Sequence, residues 1–109
     1  MIRRFFTWLV GTLWRSSAYS IAVEDDTPNI VKGRTLYLIG EENHFWLAVL
    51  KCPCGCGDVI SLPMSANARP CWRVSVQGGK PSLFPSVHRT AKCRSHFVLK
   101  AGRIIWCHE

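Results

Sequence analysis

No apolar run in this 109-residue chain approaches the roughly 20 residues that a membrane-spanning helix needs. The longest, residues 5–14, is interrupted by Thr7, Gly11 and Thr12. Acidic side chains are scarce, seven against fourteen Lys and Arg. Internal repeats, low-complexity tracts and an HExxH motif are also missing, which excludes disordered and collagen-like chains and speaks against a zinc hydrolase. The only acids near the cysteine-rich stretch are Glu41, Glu42 and Asp58, too few for a catalytic zinc with a carboxylate base.

What remains is 48% hydrophobic and 19% charged, long enough for one globular domain and too short for two. A chain of this size buries only about two-thirds of its unfolded surface, so its core is marginal, and six cysteines are the obvious reinforcement. The net charge of +7 favours acidic partners through long-range attraction. Because the basic residues are scattered, with residues 89–94 (RTAKCR) the only local cluster, they read as a solvated face; nucleic acid is not the expected partner.

The N-terminus has the ingredients of a signal peptide: basic residues 1–4, an apolar stretch, then small residues at 16–20. An amphipathic helix fits better, because Ile2, Phe5, Phe6, Leu9, Val10 and Leu13 recur at spacings of three and four. We expect residues 1–20 to form a basic amphipathic helix that packs on the domain, on a partner or on a membrane surface. Residues 21–34 follow as a linker and first strand, and residues 35–109 as a β-rich domain.

Within that domain the pattern is extended. Residues 35–39 (TLYLI) and 45–51 (FWLAVLK) flank a GEEN turn and predict a hairpin. Further strands are expected at 58–62, 71–76 and 82–87, the last restricted to an edge or bulge by Pro85. Residues 97–100 and 103–107 form a closing hairpin around Ala101-Gly102. The fold class is therefore all-β or β-rich, a small single domain of antiparallel hairpins.

Its most specific chemistry is Cys52-Pro53-Cys54-Gly55-Cys56-Gly57. Cysteines two residues apart make strained disulfides, whereas thiolates on a tight turn converge on one metal ion. That points to a reducing, cytoplasmic setting and to structural Zn2+, with an iron–sulfur cluster as the weaker alternative. Cys93 and His96 (CRSH) have the spacing of a second knuckle, and Cys107 with His108 stand one hairpin later. Alternatively Cys52, Cys54, Cys56, Cys93 and Cys107 supply a four-thiolate set and leave His96 free. Cys71, alone in a strand, reads as a core residue.

Ser82, Ser86 and Ser95 lie near His88 and His96 in the chain. On a strand, Ser95 and His96 point to opposite faces and cannot pair, so Ser86 with His96 across neighbouring strands is the pair to test for nucleophilic chemistry.

Taken together, LYLIGE at residues 36–41, CPCGCG at 52–57, ARPCW at 68–72, PSLFPSV at 81–87, CRSHF at 93–97 and GRIIWC at 102–107 resemble a small bacterial family first described as a domain of unknown function. The likeness runs from about Thr35 to Cys107. It departs at His88, where the family pattern more often has tryptophan, which weighs against a role for that histidine. Members are encoded beside bacterial ubiquitin-like proteins and their activating and conjugating enzymes, and the resemblance implies a peptidase of that pathway. It also implies Cys52, Cys54, Cys56, Cys93 and Cys107 as metal positions, Ser86 as nucleophile and His96 as base. The expected partner is then a ubiquitin-like protein or its conjugating enzymes, the expected reaction its processing or deconjugation. The alternatives are a zinc-bound adaptor of the same pathway and a basic nucleic-acid-binding zinc domain.

Overall fold

A computed structural model of the chain describes residues 18–42, 44–90 and 92–107, and among them all regular structure is strand. In chain order the strands are β1 (Ser20–Glu24), β2 (Thr35–Glu41), β3 (His44–Lys51), β4 (Val59–Pro63), β5 (Arg73–Gln77), β6 (Lys80–Phe84), β7 (Val87–His88), β8 (His96–Lys100) and β9 (Arg103–Trp106). They form a four-stranded sheet β1-β2-β3-β4, a hairpin β5-β6 and a three-stranded sheet β7-β8-β9. Residues 1–17 of the expected N-terminal helix lie outside the described residues, and Ser20 already opens β1. No described helix is long and apolar enough to cross a membrane.

Alternation along β2 and β3 explains how the first sheet is held. Leu36 and Leu38 join Ala48, Leu50, Ile60 and Leu62 in the main core, while Tyr37 and Ile39 meet Val31 and Val49 on the opposite face. TLYLI is therefore buried on both sides, which its unbroken apolar character permits. The second face is covered by the segment between β1 and β2, where Val31 is buried and the Lys32 N–H donates to the Tyr37 hydroxyl at 3.0 Å. Leu83, Val87, Phe97 and Leu99 from β6, β7 and β8 complete the main core, so the three sheets share one apolar interior.

Two departures from the expected hairpins matter. β1 pairs with β2 in parallel, Ser20 opposite Thr35 through Glu24 opposite Ile39, and the return is made by residues 25–34 rather than by a tight turn. The polar EDDTP stretch is the start of that crossover. Second, the single strand expected at 82–87 is split. Pro85 has no N–H to give a ladder, β6 ends at Phe84, and β7 starts at Val87 in a different sheet. Ser86 is the residue at the break.

The β2–β3 turn carries a bulge between Ile39 and Gly40. A Cβ on Gly40 would run into the His44 carbonyl and the Phe45 backbone, so only glycine fits this crossing. The β8–β9 turn has positive φ at both Ala101 (51°) and Gly102 (80°), as a two-residue hairpin of matching twist requires. It is tied to β6 by the Ala101 N–H donating to Ser82 Oγ at 2.8 Å and the Gly102 N–H to the Pro81 carbonyl at 2.8 Å. Ser82 is thus a structural hydroxyl.

Candidate active site and metal centre

The CPCGCG loop leaves the end of β3 and is closed at its base by the Cys52 N–H donating to the Asp58 carbonyl at 2.8 Å. Gly55 (φ 93°) and Gly57 (φ 89°) adopt the left-handed conformation that lets the chain fold back between successive cysteines. The sulfurs of Cys52, Cys54, Cys56 and Cys93 all lie within 4.8 Å of one another. Cys52 Sγ is 3.4 Å from Cys54 Sγ and 3.6 Å from Cys93 Sγ. A tetrahedral zinc with sulfurs at about 2.3 Å separates them by about 3.8 Å, so four free thiols at these distances fit such an ion. Cys107 is not one of the four, and Cys71 stays apart from them.

The environment of the sulfurs is asymmetric. Ser95, buried, places its hydroxyl 3.1 Å from Cys93 Sγ and 3.7 Å from Cys52 Sγ. Hydrogen bonds from the Ser95 hydroxyl and backbone, aided by Cys52 and Cys54, bring the Cys93 thiol down to about 6 against a smaller opposing effect of burial. The Cys54 thiol is lowered as well, first by Ser95 and then by Cys52. Cys56 goes the other way, to about 11: a backbone bond at Asp58 lowers it, but burial and the bonds to Cys54, Cys52 and Cys93 together outweigh that. Opposite shifts within one cluster follow from crowding several potential anions into a few ångströms, and a divalent cation relieves that crowding.

A cation from the protein already sits at the rim. Arg89 Nη1 donates to Cys93 Sγ at 3.3 Å and reaches Cys56 Sγ at 3.7 Å, while Nη2 pairs with Asp58 Oδ2 at 3.1 Å. Lys92 Nζ approaches the same carboxylate at 3.7 Å. With four thiolates and one divalent ion carrying a net charge of −2, the guanidinium offsets charge that the ion leaves uncancelled. In the sequence Arg89 belongs to the basic cluster at 89–94 and Asp58 is an acid beside the cysteines, with nothing local to link them. Their one signal was position, Asp58 directly after CPCGCG and Arg89 four residues before Cys93.

The CRSH segment serves two centres. Cys93 and Ser95 turn to the sulfurs, and His96, the first residue of β8, turns away to Ser86: Ser86 Oγ and His96 Nε2 are 3.2 Å apart. His96 is therefore beside the metal group but not within it. Its backbone is pinned by the Cys107 N–H donating to the His96 carbonyl at 2.8 Å, and Arg89 N–H holds the neighbouring Ser95 carbonyl at 2.8 Å. His88 lies opposite His96 in the β7–β8 ladder, and the two rings stack with centroids 4.3 Å apart. His88 thus has a place against the imidazole. A cavity of about 630 Å³ opens here, lined by His88, Ser95, His96, Trp106 and Cys107 among others.

A half-buried serine hydroxyl within hydrogen-bond reach of the nitrogen of an imidazole that lines an open cavity has the geometry of a base-activated nucleophile. Residues 23–107 match the family model described as "Bacterial ubiquitination-like system serine protease (BubE)". No curated protein and no solved structure matches the chain.

Proposed function

Because the chain belongs to the bacterial ubiquitination-like system serine protease family, we propose that it cleaves the peptide or isopeptide bond at the C-terminus of that system's ubiquitin-like protein, with Ser86 as nucleophile and His96 as base. The 3.2 Å contact between Ser86 Oγ and His96 Nε2 carries this reading. His96 Nε2 takes the hydroxyl proton as Oγ attacks the scissile carbonyl carbon, whose oxygen becomes the oxyanion of a tetrahedral intermediate. The same nitrogen returns the proton to the departing amine as the C–N bond breaks. A water then gives a proton to Nε2 as its oxygen bonds to the acyl carbon, and Nε2 passes that proton to Oγ as the C–Oγ bond breaks, which restores Ser86 and releases the carboxylic acid product.

Zinc is the ion this donor set suits, held by Cys52, Cys54, Cys56 and Cys93. A complete four-thiolate set leaves no open position for water, so the metal's part is a cross-link between the loop after β3 and the approach to β8. Through Ser95 that cross-link fixes where β8 begins, and hence where His96 stands. Four free thiols this close also suit a reducing compartment such as the cytoplasm.

The test is incubation of the purified chain with a precursor or conjugate of the ubiquitin-like protein, read by mass spectrometry. Cleavage is expected for the wild type and a loss of at least 10³-fold for Ser86→Ala and for His96→Ala. Full cleavage by Ser86→Ala would remove that residue from the mechanism. Stable capture without turnover by the wild type would favour the adaptor role instead.

A further inference from the structure

A second groove, also of about 630 Å³, runs between the CPCGCG loop and β9. Arg34, Lys51 and Arg103 line it, and among the described residues no Asp or Glu does. Among the described residues neither Arg34 nor Lys51 pairs with a carboxylate, and Asp58, the acid nearest the loop, is engaged by Arg89 and Lys92. Counting Arg89, Lys92 and Asp58 together with the −2 of the loaded thiolate cluster in one wall, Arg34 and Lys51 leave the surroundings of the groove positive by one charge, and low-dielectric walls concentrate that field.

The shape of the groove adds a second constraint. Arg103 and the pair Ile104 and Trp106 alternate along β9, so they belong to opposite faces of the strand, yet all line the groove. A space reached from both faces of a strand follows its edge. β9 is the outermost strand of the β7-β8-β9 sheet among the described residues, so the edge away from β8 carries main-chain groups that the ladder does not use. Trp106 also lines the cavity that holds His96, so one side chain borders both spaces.

Resting on the peptidase reading above, we infer that this groove receives an extended, acidic segment of the protein substrate, laid along the edge of β9 with its carboxylates toward Arg34 and Lys51. Main-chain pairing accounts for the extended form and the cations for the acidic preference. The chain's own residues 1–17 have the wrong sign for the site, carrying Arg3, Arg4 and Arg15 and no acid.

The experiment uses full-length Ser86→Ala, which cannot turn over by the proposed route, and fluorescence anisotropy with a labelled octapeptide containing two glutamates. The glutamate peptide is expected to bind at least tenfold more tightly than its glutamine counterpart at low salt, and the gap should close at about 0.5 M salt. In Arg34→Glu/Lys51→Glu the preference should vanish. Equal binding of the two peptides to the Ser86→Ala chain overturns the inference without any need for the groove variant to fold. So does tighter capture of a single-stranded oligonucleotide of the same charge, which would make phosphate the ligand. Absence of cleavage by wild type, with the glutamate preference intact, would count against the peptidase reading and leave the acidic-peptide groove standing.

Discussion

Replacing Arg89 with Met keeps most of the side chain's volume and removes its charge and its fork of donors. Two interactions are lost together: the pair with Asp58 at 3.1 Å, and the bonds to Cys93 and Cys56 at 3.3 and 3.7 Å. Hydrogen bonds to charged groups contribute about 1.5–3 kcal/mol each, and with the two side chains 19% and 30% exposed the lower end applies. The expected result is a fall in melting temperature of several degrees, limited because Lys92 remains beside Asp58. The assay is thermal unfolding by circular dichroism in metal-replete, reducing buffer, with chelator-induced metal release as a second readout. Arg89→Lys should recover only part of the loss, because one ammonium cannot serve a carboxylate and two sulfurs at once. In a double-mutant cycle with Asp58→Asn, the coupling should be about 1 kcal/mol or more. A variant that melts within about 2 °C of wild type and releases metal no faster would refute the assignment of Arg89 as the charge partner of the cluster.

Other expectations follow from the same geometry. Cys52→Ser should abolish stoichiometric metal binding while Cys107→Ser retains it, as read by elemental mass spectrometry of protein purified under reducing conditions, because Cys107 stands outside the four-sulfur group. A strong chelator at neutral pH should remove the cooperative thermal transition, since structural zinc contributes on the order of 10 kcal/mol to domains that depend on it; an unchanged melt would refute a structural metal. Gly40→Ala should destabilise by at least roughly 1–3 kcal/mol in urea titration, because the added Cβ meets the backbone of His44 and Phe45, which cannot rotate away.

Much of the site was legible because close spacing limits what a backbone can do. Three cysteines at two-residue intervals with glycines between them have few conformations other than a turn with converging sulfurs, and the structure has that turn. Ser95 and His96 do face different partners, Cys93 and Ser86, but Ser95 precedes β8, so strand alternation does not act on it. The β2–β3 and β8–β9 hairpins lie where their turn residues place them.

Other features depended on partners distant in sequence. The pattern SIAVE does not reveal whether its neighbour will run parallel or antiparallel, and the parallel choice is decided by the apolar face that residues 25–34 must cover. Arg89 reaches a carboxylate 31 residues earlier, a contact that no local rule anticipates. Which of Cys93, His96 and Cys107 joins the loop likewise depends on how β8 enters its sheet: Cys93 precedes the strand, while His96 and Cys107 are committed to the β8–β9 ladder.

The residues alone determined a β-rich chain, the thiol-rich turn and the two side chains proposed for its chemistry, since propensity, turn geometry and strand alternation act over a few residues at a time. Only the folded chain decided which four sulfurs meet, that His96 faces Ser86 rather than the metal group, and that Arg34 and Lys51 line one groove beside the thiol-rich loop. Those outcomes depend on burial shared by three sheets, and the free energy of that burial is a property of the whole core rather than of any segment.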